Sequence, residues 1–154
     1  MTWKDGATYE GDWVLSYAHG KGKFIDPLGN VYEGDFYMTM AHGYGVYTNT
    51  EGSCYQGEWK FDNQNGKGRE KWADGSMYEG YYKDGLKEGF GEYYWAKDNA
   101  VYKGDWKKNM ITGYGVYQWG DGRIYTGYWD SNNMDNIGIL RYPEGKVYEG
   151  KFEK

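Results

Sequence analysis

The chain has 154 residues, with 18 basic and 23 acidic side chains for a formal net charge of −5, two histidines and one cysteine. Neither half is basic, which argues against a nucleic-acid surface and against a purely electrostatic grip on anionic lipid. Cys54 alone excludes a disulfide framework or a zinc cluster, no apolar run reaches membrane-spanning length and no signal peptide precedes Trp3, so a cytosolic setting is expected.

In chain order, Met1-Thr2-Trp3-Lys4-Asp5-Gly6 reads as the tail of an earlier unit. A pattern then recurs: Gly-x-x-Tyr-x-Gly-x-aromatic, six residues, and Gly-x-Gly-x-aromatic, best seen in Gly29–Phe36 followed by Gly43–Tyr47. The anchor tyrosines Tyr9, Tyr32, Tyr55, Tyr78, Tyr102, Tyr125 and Tyr148 are separated by 23 residues, once by 24. Four residues after each anchor stands an aromatic: Trp13, Phe36, Trp59, Tyr82, Trp106, Trp129 and Phe152. A fixed period of this length marks a stacked-repeat protein.

Tyr-x-Gly-x-Trp has a period of two, so its tyrosine, glycine and aromatic share one face of a β-strand. Helix would place the rings together as well, but a central glycine in every segment costs a helix about 1 kcal/mol each. The spacing predicts two short antiparallel strands per unit joined by a six-residue loop. The glycines, which weaken a strand, are expected to leave room for a neighbouring ring. Asp74-Gly75 and Asp121-Gly122 are strong hairpin signals between units, and Asn99 takes the glycine's place at the turn that holds the extra residue. Irregular packing is expected where Glu70 replaces an aromatic, Asn136 a glycine and Leu140 an aromatic.

Six units in register, with half of a seventh, resemble the MORN repeat (membrane occupation and recognition nexus). Tyr9-Glu10-Gly11-Asp12-Trp13 with His19-Gly20-Lys21-Gly22, and Tyr32-Glu33-Gly34-Asp35-Phe36 with His42-Gly43-Tyr44-Gly45, match it best. The expected fold is therefore all-β: an elongated single-layer antiparallel solenoid of β-hairpins, two strands per 23-residue repeat, right-handed in twist and with an aromatic-lined groove. The expected units are about 6–28, 29–51, 52–74, 75–98, 99–121 and 122–144, with a partial unit at 145–154, in a single array over 1–154. Since both ends fall inside units, the chain is expected to be an excised piece of a longer protein or a subunit whose ends partners cover.

Catalytic chemistry finds little footing. Nucleophilic catalysis needs a base, and His19 and His42 occupy a slot that Asn65, Glu88, Thr112 and Asp135 fill in other units, which reads as a polar loop end. Glu10/Asp12 and Glu33/Asp35 face away from the rings and are expected to pair across strands with Lys21 and Lys23. Asp62-Asn63-Gln64-Asn65-Gly66 lacks the later bidentate glutamate of a calcium loop. Gly20-Lys21-Gly22 lacks the third glycine and following helix of a phosphate loop. No catalytic, metal or cofactor residue is assigned, and the chain is read as a non-enzyme.

Two surfaces are candidates for a partner. The first is the aromatic groove of Tyr9, Trp13, Tyr32, Phe36, Tyr55, Trp59, Tyr78, Tyr82, Tyr102, Trp106, Tyr125 and Trp129, suited to a peptide or helix from another protein. The second is an outward apolar set, Tyr114, Val116, Tyr128, Ile137 and Ile139, with Tyr44 and Val46 in the second unit, suited to docking or to a homodimer. Loop residues Leu15, Tyr17, Met38, Met40, Phe61, Leu86, Met110, Ile111 and Met134 are expected either to fold back on the rings or to meet a partner. The resemblance implies a non-catalytic scaffold for protein–protein interaction or self-association in a cytoskeletal or axonemal (ciliary) assembly. The alternative it implies is a membrane- or phospholipid-targeting module of a larger protein.

Overall fold

The computed structural model describes residues 1–153, and among them all regular structure is β. The thirteen strands are β1 (Thr8–Val14), β2 (Tyr17–Ile25), β3 (Val31–Tyr37), β4 (Met40–Thr48), β5 (Cys54–Lys60), β6 (Asn63–Lys71), β7 (Met77–Lys83), β8 (Leu86–Trp95), β9 (Ala100–Lys107), β10 (Met110–Gln118), β11 (Ile124–Asp130), β12 (Asn133–Arg141) and β13 (Val147–Phe152). They form one antiparallel sheet whose spatial order is the sequence order.

Each hairpin is registered on its glycines. Tyr9 lies opposite Phe24 and Gly11 opposite Gly22, after which the register shifts before Trp13 meets Ala18. The same shift follows Gly34 and Gly57. Across to the following hairpin the ladder runs without a shift, Phe24 to Tyr32, Gly22 to Gly34 and Gly20 to Phe36.

The turns differ from the expected arrangement. The six residues after each aromatic are not a loop: both strands continue into them and only two residues turn, Leu15-Ser16 in the first hairpin and Met38-Thr39 in the second. Met38 and Thr39 have φ of 49° and 69°, Phe61 and Asp62 45° and 67°, so both turn residues are left-handed, which matches the twist of the flanking strands. Asp74-Gly75 and Asp121-Gly122 do lie between units, in longer connections, while Asp84-Gly85 forms a two-residue turn within its hairpin. In Asp26–Asn30 the Gly29 N–H donates to the Asp26 carbonyl at 3.0 Å and the Asp26 N–H to the Asn30 carbonyl at 2.9 Å. Gly29 has φ 94° there, and Asn99 takes the equivalent place with φ 49°, a conformation asparagine tolerates. Met1–Gly6 repeats this turn, Gly6 donating to the Trp3 carbonyl at 3.1 Å.

Two compact units are distinguished by their internal packing. The first is Met1–Ala73 with Tyr82–Gly85, the second Asp74–Tyr81 with Leu86 onwards. In unit one Tyr9, Ala18, Tyr32, Phe36 and Ala41 make a buried cluster, with Phe24, Tyr47 and Trp59 packed on it. In unit two the buried anchors are Tyr78, Tyr102 and Tyr125, with Trp106, Ile111, Trp129 and Leu140.

Glycine makes the anchor tyrosine possible. A Cβ on Gly22 would collide with the Tyr9 ring and hydroxyl, and one on Gly11 with the backbone of Gly22. The ring that fills the gap therefore comes from the first strand of the same hairpin. Its hydroxyl turns back to donate to the carbonyl three residues on, Tyr9 to Asp12 at 2.9 Å, Tyr32 to Asp35 at 2.7 Å and Tyr102 to Asp105 at 3.0 Å. Glu70, expected to disturb the packing, accepts a hydrogen bond from Tyr82 Oη at 2.7 Å. Asn136 takes φ 55° in the glycine's place, and Leu140 is buried.

Candidate binding surfaces

In each unit the rings form a zigzag. In unit one Tyr9 meets Trp13 and Phe36 edge-on at 5.0 and 5.1 Å, and Tyr32 meets Phe36 and Trp59 at 5.0 and 5.3 Å. Unit two repeats it with Tyr102 against Trp106 and Trp129 at 5.4 and 5.8 Å. Edge-to-face pairs of this kind add about 0.5–1.5 kcal/mol each beyond burial. Three of the ladder indoles spend their N–H internally: Trp59 Nε1 donates to the Gly45 carbonyl at 3.1 Å, Trp106 Nε1 to that of Gly91 at 3.1 Å and Trp129 Nε1 to that of Gly115 at 3.4 Å. The twelve groove residues therefore all belong to the ring ladders of the two units.

The units differ in what lies over the rings. In unit two the chain covers them itself. Lys87 and Ile111 stand five residues after the aromatics Tyr82 and Trp106, and Tyr93, Trp95, Tyr117 and Trp119 form a second row with centroids 4.3, 5.5 and 4.7 Å apart. Trp106 and Trp129 are left 5% and 7% exposed. In unit one the equivalents of Lys87 and Ile111 are Ala18, Ala41 and Gln64, and the equivalents of Trp95 and Trp119 are Asp26, Asn49 and Trp72, so the first two repeats lack the cover. The result is a cavity of about 800 Å³ over Tyr9, Trp13, Phe24, Tyr32, Tyr47 and Trp59, with Asp62 and Gln64 on its wall. Trp13 is 41% exposed there. Trp3, Phe24, Tyr47, the two alanines and Asp62 were not among the expected groove residues. The slot five residues after each aromatic (Ala18, Ala41, Gln64, Lys87, Ile111, Met134) was the available signal.

Electrostatics on this face are set by burial. It pushes the Tyr32 hydroxyl well above its ordinary value, helped by the Asp35 and Asp62 carboxylates. The Tyr55 hydroxyl is raised in the same way, with Glu58 and Glu70 contributing. These phenols stay neutral and act as donors.

The outer-face carboxylates are mostly structural. The Asp12 carboxylate accepts the Lys21 N–H at 3.1 Å, beside the register shift between Gly11 and Trp13. Asp35 accepts from Tyr44 N–H at 2.8 Å and Asp105 from Tyr114 N–H at 3.3 Å. The Lys21 ammonium does pair across strands as expected, with Asp35 of β3. Burial alone would raise the Asp35 carboxyl, but Lys21 and the Tyr44 N–H outweigh it and hold it below its ordinary value. Glu10 does lie opposite Lys23 and Glu33 opposite Lys23 from the other side. His19 and His42 also serve the backbone, their Nδ1 accepting the turn amides of Met38 at 3.5 Å and Phe61 at 3.2 Å. Asn65 and Glu88 do the same for Asp84 and Lys108 at 3.4 and 3.0 Å.

The outward apolar set of unit two lies on the three neighbouring strands β10, β11 and β12. Tyr114 lies opposite Tyr128 with ring centroids 5.6 Å apart, and Ile139 opposite Thr126. Tyr114, Tyr128 and Ile137 are 52%, 50% and 64% exposed, while Val116 and Ile139 are half-buried. Phe90 and Tyr81 hold the same outward positions in their hairpin and are exposed, with Asp105 opposite Phe90 on the side toward this set; they were missed. In unit one Tyr44 lies opposite Glu58 and Val46 between Glu33 and Gln56, so that pair is set among charges. Among the loop residues Leu15, Met38 and Phe61 are exposed and Ile111 is buried. No group of three or more potential metal ligands occurs among the described residues.

Fold and surface thus define a β-hairpin repeat protein with a ring-lined face. The family model for the MORN repeat matches residues 9–31, 32–54, 55–77, 78–100, 102–122 and 125–147. The chain belongs to the MORN-repeat family. No curated protein matches it. Among solved structures it is similar to the SAS-4 (dCPAP) TCP domain in complex with a proline-rich motif of Ana2 (dSTIL) of Drosophila melanogaster, at 13% identity over 86% of this chain and 85% of that one, with a TM-score of 0.38.

Proposed function

We propose that the chain is a non-catalytic scaffold whose trough in unit one receives a peptide or helix from a protein partner, in a cytoskeletal or axonemal assembly. The observation that carries this reading is the contrast between the units: the same ring ladder is roofed by Lys87, Ile111, Trp95 and Trp119 in unit two and left open over Ala18 and Ala41 in unit one. An apolar concavity of this size with few polar groups is the usual form of a ligand site. The cytoskeletal setting comes from the family resemblance.

The test uses substitutions the repeat already accepts. Ala18→Ile with Ala41→Ile should plug the trough as Ile111 does in unit two, and should abolish co-purification of the partner captured by the parent protein from native lysate. Undiminished capture by the plugged variant contradicts the proposal. Strong, salt-sensitive flotation of the parent protein with acidic vesicles favours the membrane-targeting alternative. Self-association is a second reading, carried by the exposed Tyr114–Tyr128 pair beside Ile137; Tyr128→Glu with Ile137→Lys should then lower the sedimenting mass.

A further inference from the structure

Lys87 shows what this ring face binds. Its Nζ lies 5.4 Å from the Tyr78 ring centroid, 5.6 Å from that of Tyr93 and 6.0 Å from that of Trp106. An ammonium over several ring faces is held by their negative quadrupoles. The rings are set by the repeat: Tyr78 and Trp106 are 5.5 Å apart at 86°, and Tyr93 and Trp106 5.9 Å apart at 37°.

Two repeats earlier the same three positions are Tyr32, Tyr47 and Trp59. Tyr32 and Trp59 are 5.3 Å apart at 87°, and Tyr47 and Trp59 6.4 Å apart at 68°. The residue in the place of Lys87 is Ala41, whose side chain ends at Cβ, and the space above the rings is part of the unit-one cavity. The neighbouring polar group also changes in a telling direction. The Lys87 N–H donates to Asn109 Oδ1 at 2.8 Å, and the Ile111 N–H to Asn132 Oδ1 at 2.9 Å. At Ala41 the acceptor is Asp62 Oδ1, at 2.8 Å. A neutral amide would serve that backbone bond, as it does twice in unit two; the carboxylate adds a negative charge on the cavity wall. The first repeat, with Ala18, Phe24, Phe36 and Thr39 in these places, has the small residue without the charge.

We infer that Tyr32, Tyr47, Trp59 and Asp62 form a cage for a cationic side chain, a lysine or methylated lysine of the partner segment, entering where unit two supplies Lys87 from its own chain. This rests on the proposed trough and specifies what it recognises: a partner segment carrying an ammonium among apolar residues.

The experiment is a two-dimensional NMR titration that follows the Trp59 indole N–H with three probes: N-acetyl-lysine methylamide, its trimethyl-lysine form, and neutral N-acetyl-norleucine methylamide. Both ammonium probes should shift the Trp59 resonance saturably, and norleucine should bind at least about fivefold more weakly, the factor expected of a cation–π contact at a solvent-accessible site. Asp62→Asn, an exchange that Asn109 and Asn132 show the fold accepts, should weaken the ammonium probes several-fold and leave norleucine unchanged. Ala41→Lys should fill the cage from within and abolish the shift; thermal unfolding reports whether each variant folds, and Asp62→Asn decides alone if Ala41→Lys does not. Equal binding of norleucine, or no effect of Asp62→Asn, overturns the cage while leaving a purely apolar trough standing. No shift from any probe also overturns the cage; the trough as a partner site then stands or falls on the capture experiment.

Discussion

At the scale of the residue, the repeat rests on tyrosine lying over glycine. A Cβ on Gly45 would meet the Tyr32 ring and hydroxyl, which are held by the bond to the Asp35 carbonyl at 2.7 Å. Gly45→Ala should therefore cost about 1–3 kcal/mol in denaturant unfolding, the range for overpacking a filled site. A loss within experimental error would show that the ring is free to move. The anchor hydroxyls also set an alkaline limit. Burial first, then neighbouring carboxylates, raises Tyr9, Tyr32 and Tyr102 above the ordinary tyrosine value of about 10. A phenol neutral in the fold but ionised in the unfolded chain stabilises the fold fully below the unfolded pKa and progressively less above it. The denaturation midpoint should thus be flat up to about pH 9.5 and fall above about pH 10; a midpoint flat to pH 11.5 would contradict buried, neutral anchors. This layer was legible before the structure, because a spacing of two ties Tyr9, Gly11 and Trp13 to one face. The partner carbonyl was not, since it depends on the register shift after Gly11.

At the scale of the element, the first three hairpins turn where the sequence offers no glycine or asparagine, whereas Asp84-Gly85, Lys108-Asn109 and Ser131-Asn132 do carry turn residues. Met38-Thr39 and Phe61-Asp62 are left-handed two-residue turns without glycine. What holds them is tertiary: the Thr39 N–H donates to the Ala18 carbonyl at 2.8 Å and the Asp62 N–H to the Ala41 carbonyl at 2.9 Å, so each turn is docked on the hairpin before it. His19 and His42 complete the docking, which is why that slot is polar and otherwise variable. A bulky residue in the left-handed region costs about 1–2 kcal/mol. Phe61→Asn should accordingly raise stability by about 1 kcal/mol in urea or guanidinium titrations. A fall of that size would mean instead that the Phe61 ring on His42, 4.7 Å away, outweighs the backbone strain. Local pattern could not show this arrangement, because the acceptors lie 19 to 21 residues away in sequence.

At the scale of the whole molecule, a repeat array distributes stability over neighbouring hairpins, and function lies where one repeat departs from the next. The period, the β-hairpins and the ring face were all readable from seven tyrosines and their glycines. The trough was not, because it is made by side chains that stop at Cβ at Ala18 and Ala41, residues that carry no pattern of their own. The most direct measurement is hydroxyl-radical footprinting read indole by indole, with and without the captured partner. The free protein should be modified fastest at Trp13 and slowest at Trp106 and Trp129, and the partner should protect Trp13 and Trp59 while leaving Tyr114 and Tyr128 unchanged. Rapid modification of Trp106, or protection confined to Tyr114 and Tyr128, would contradict a partner site in the trough of unit one.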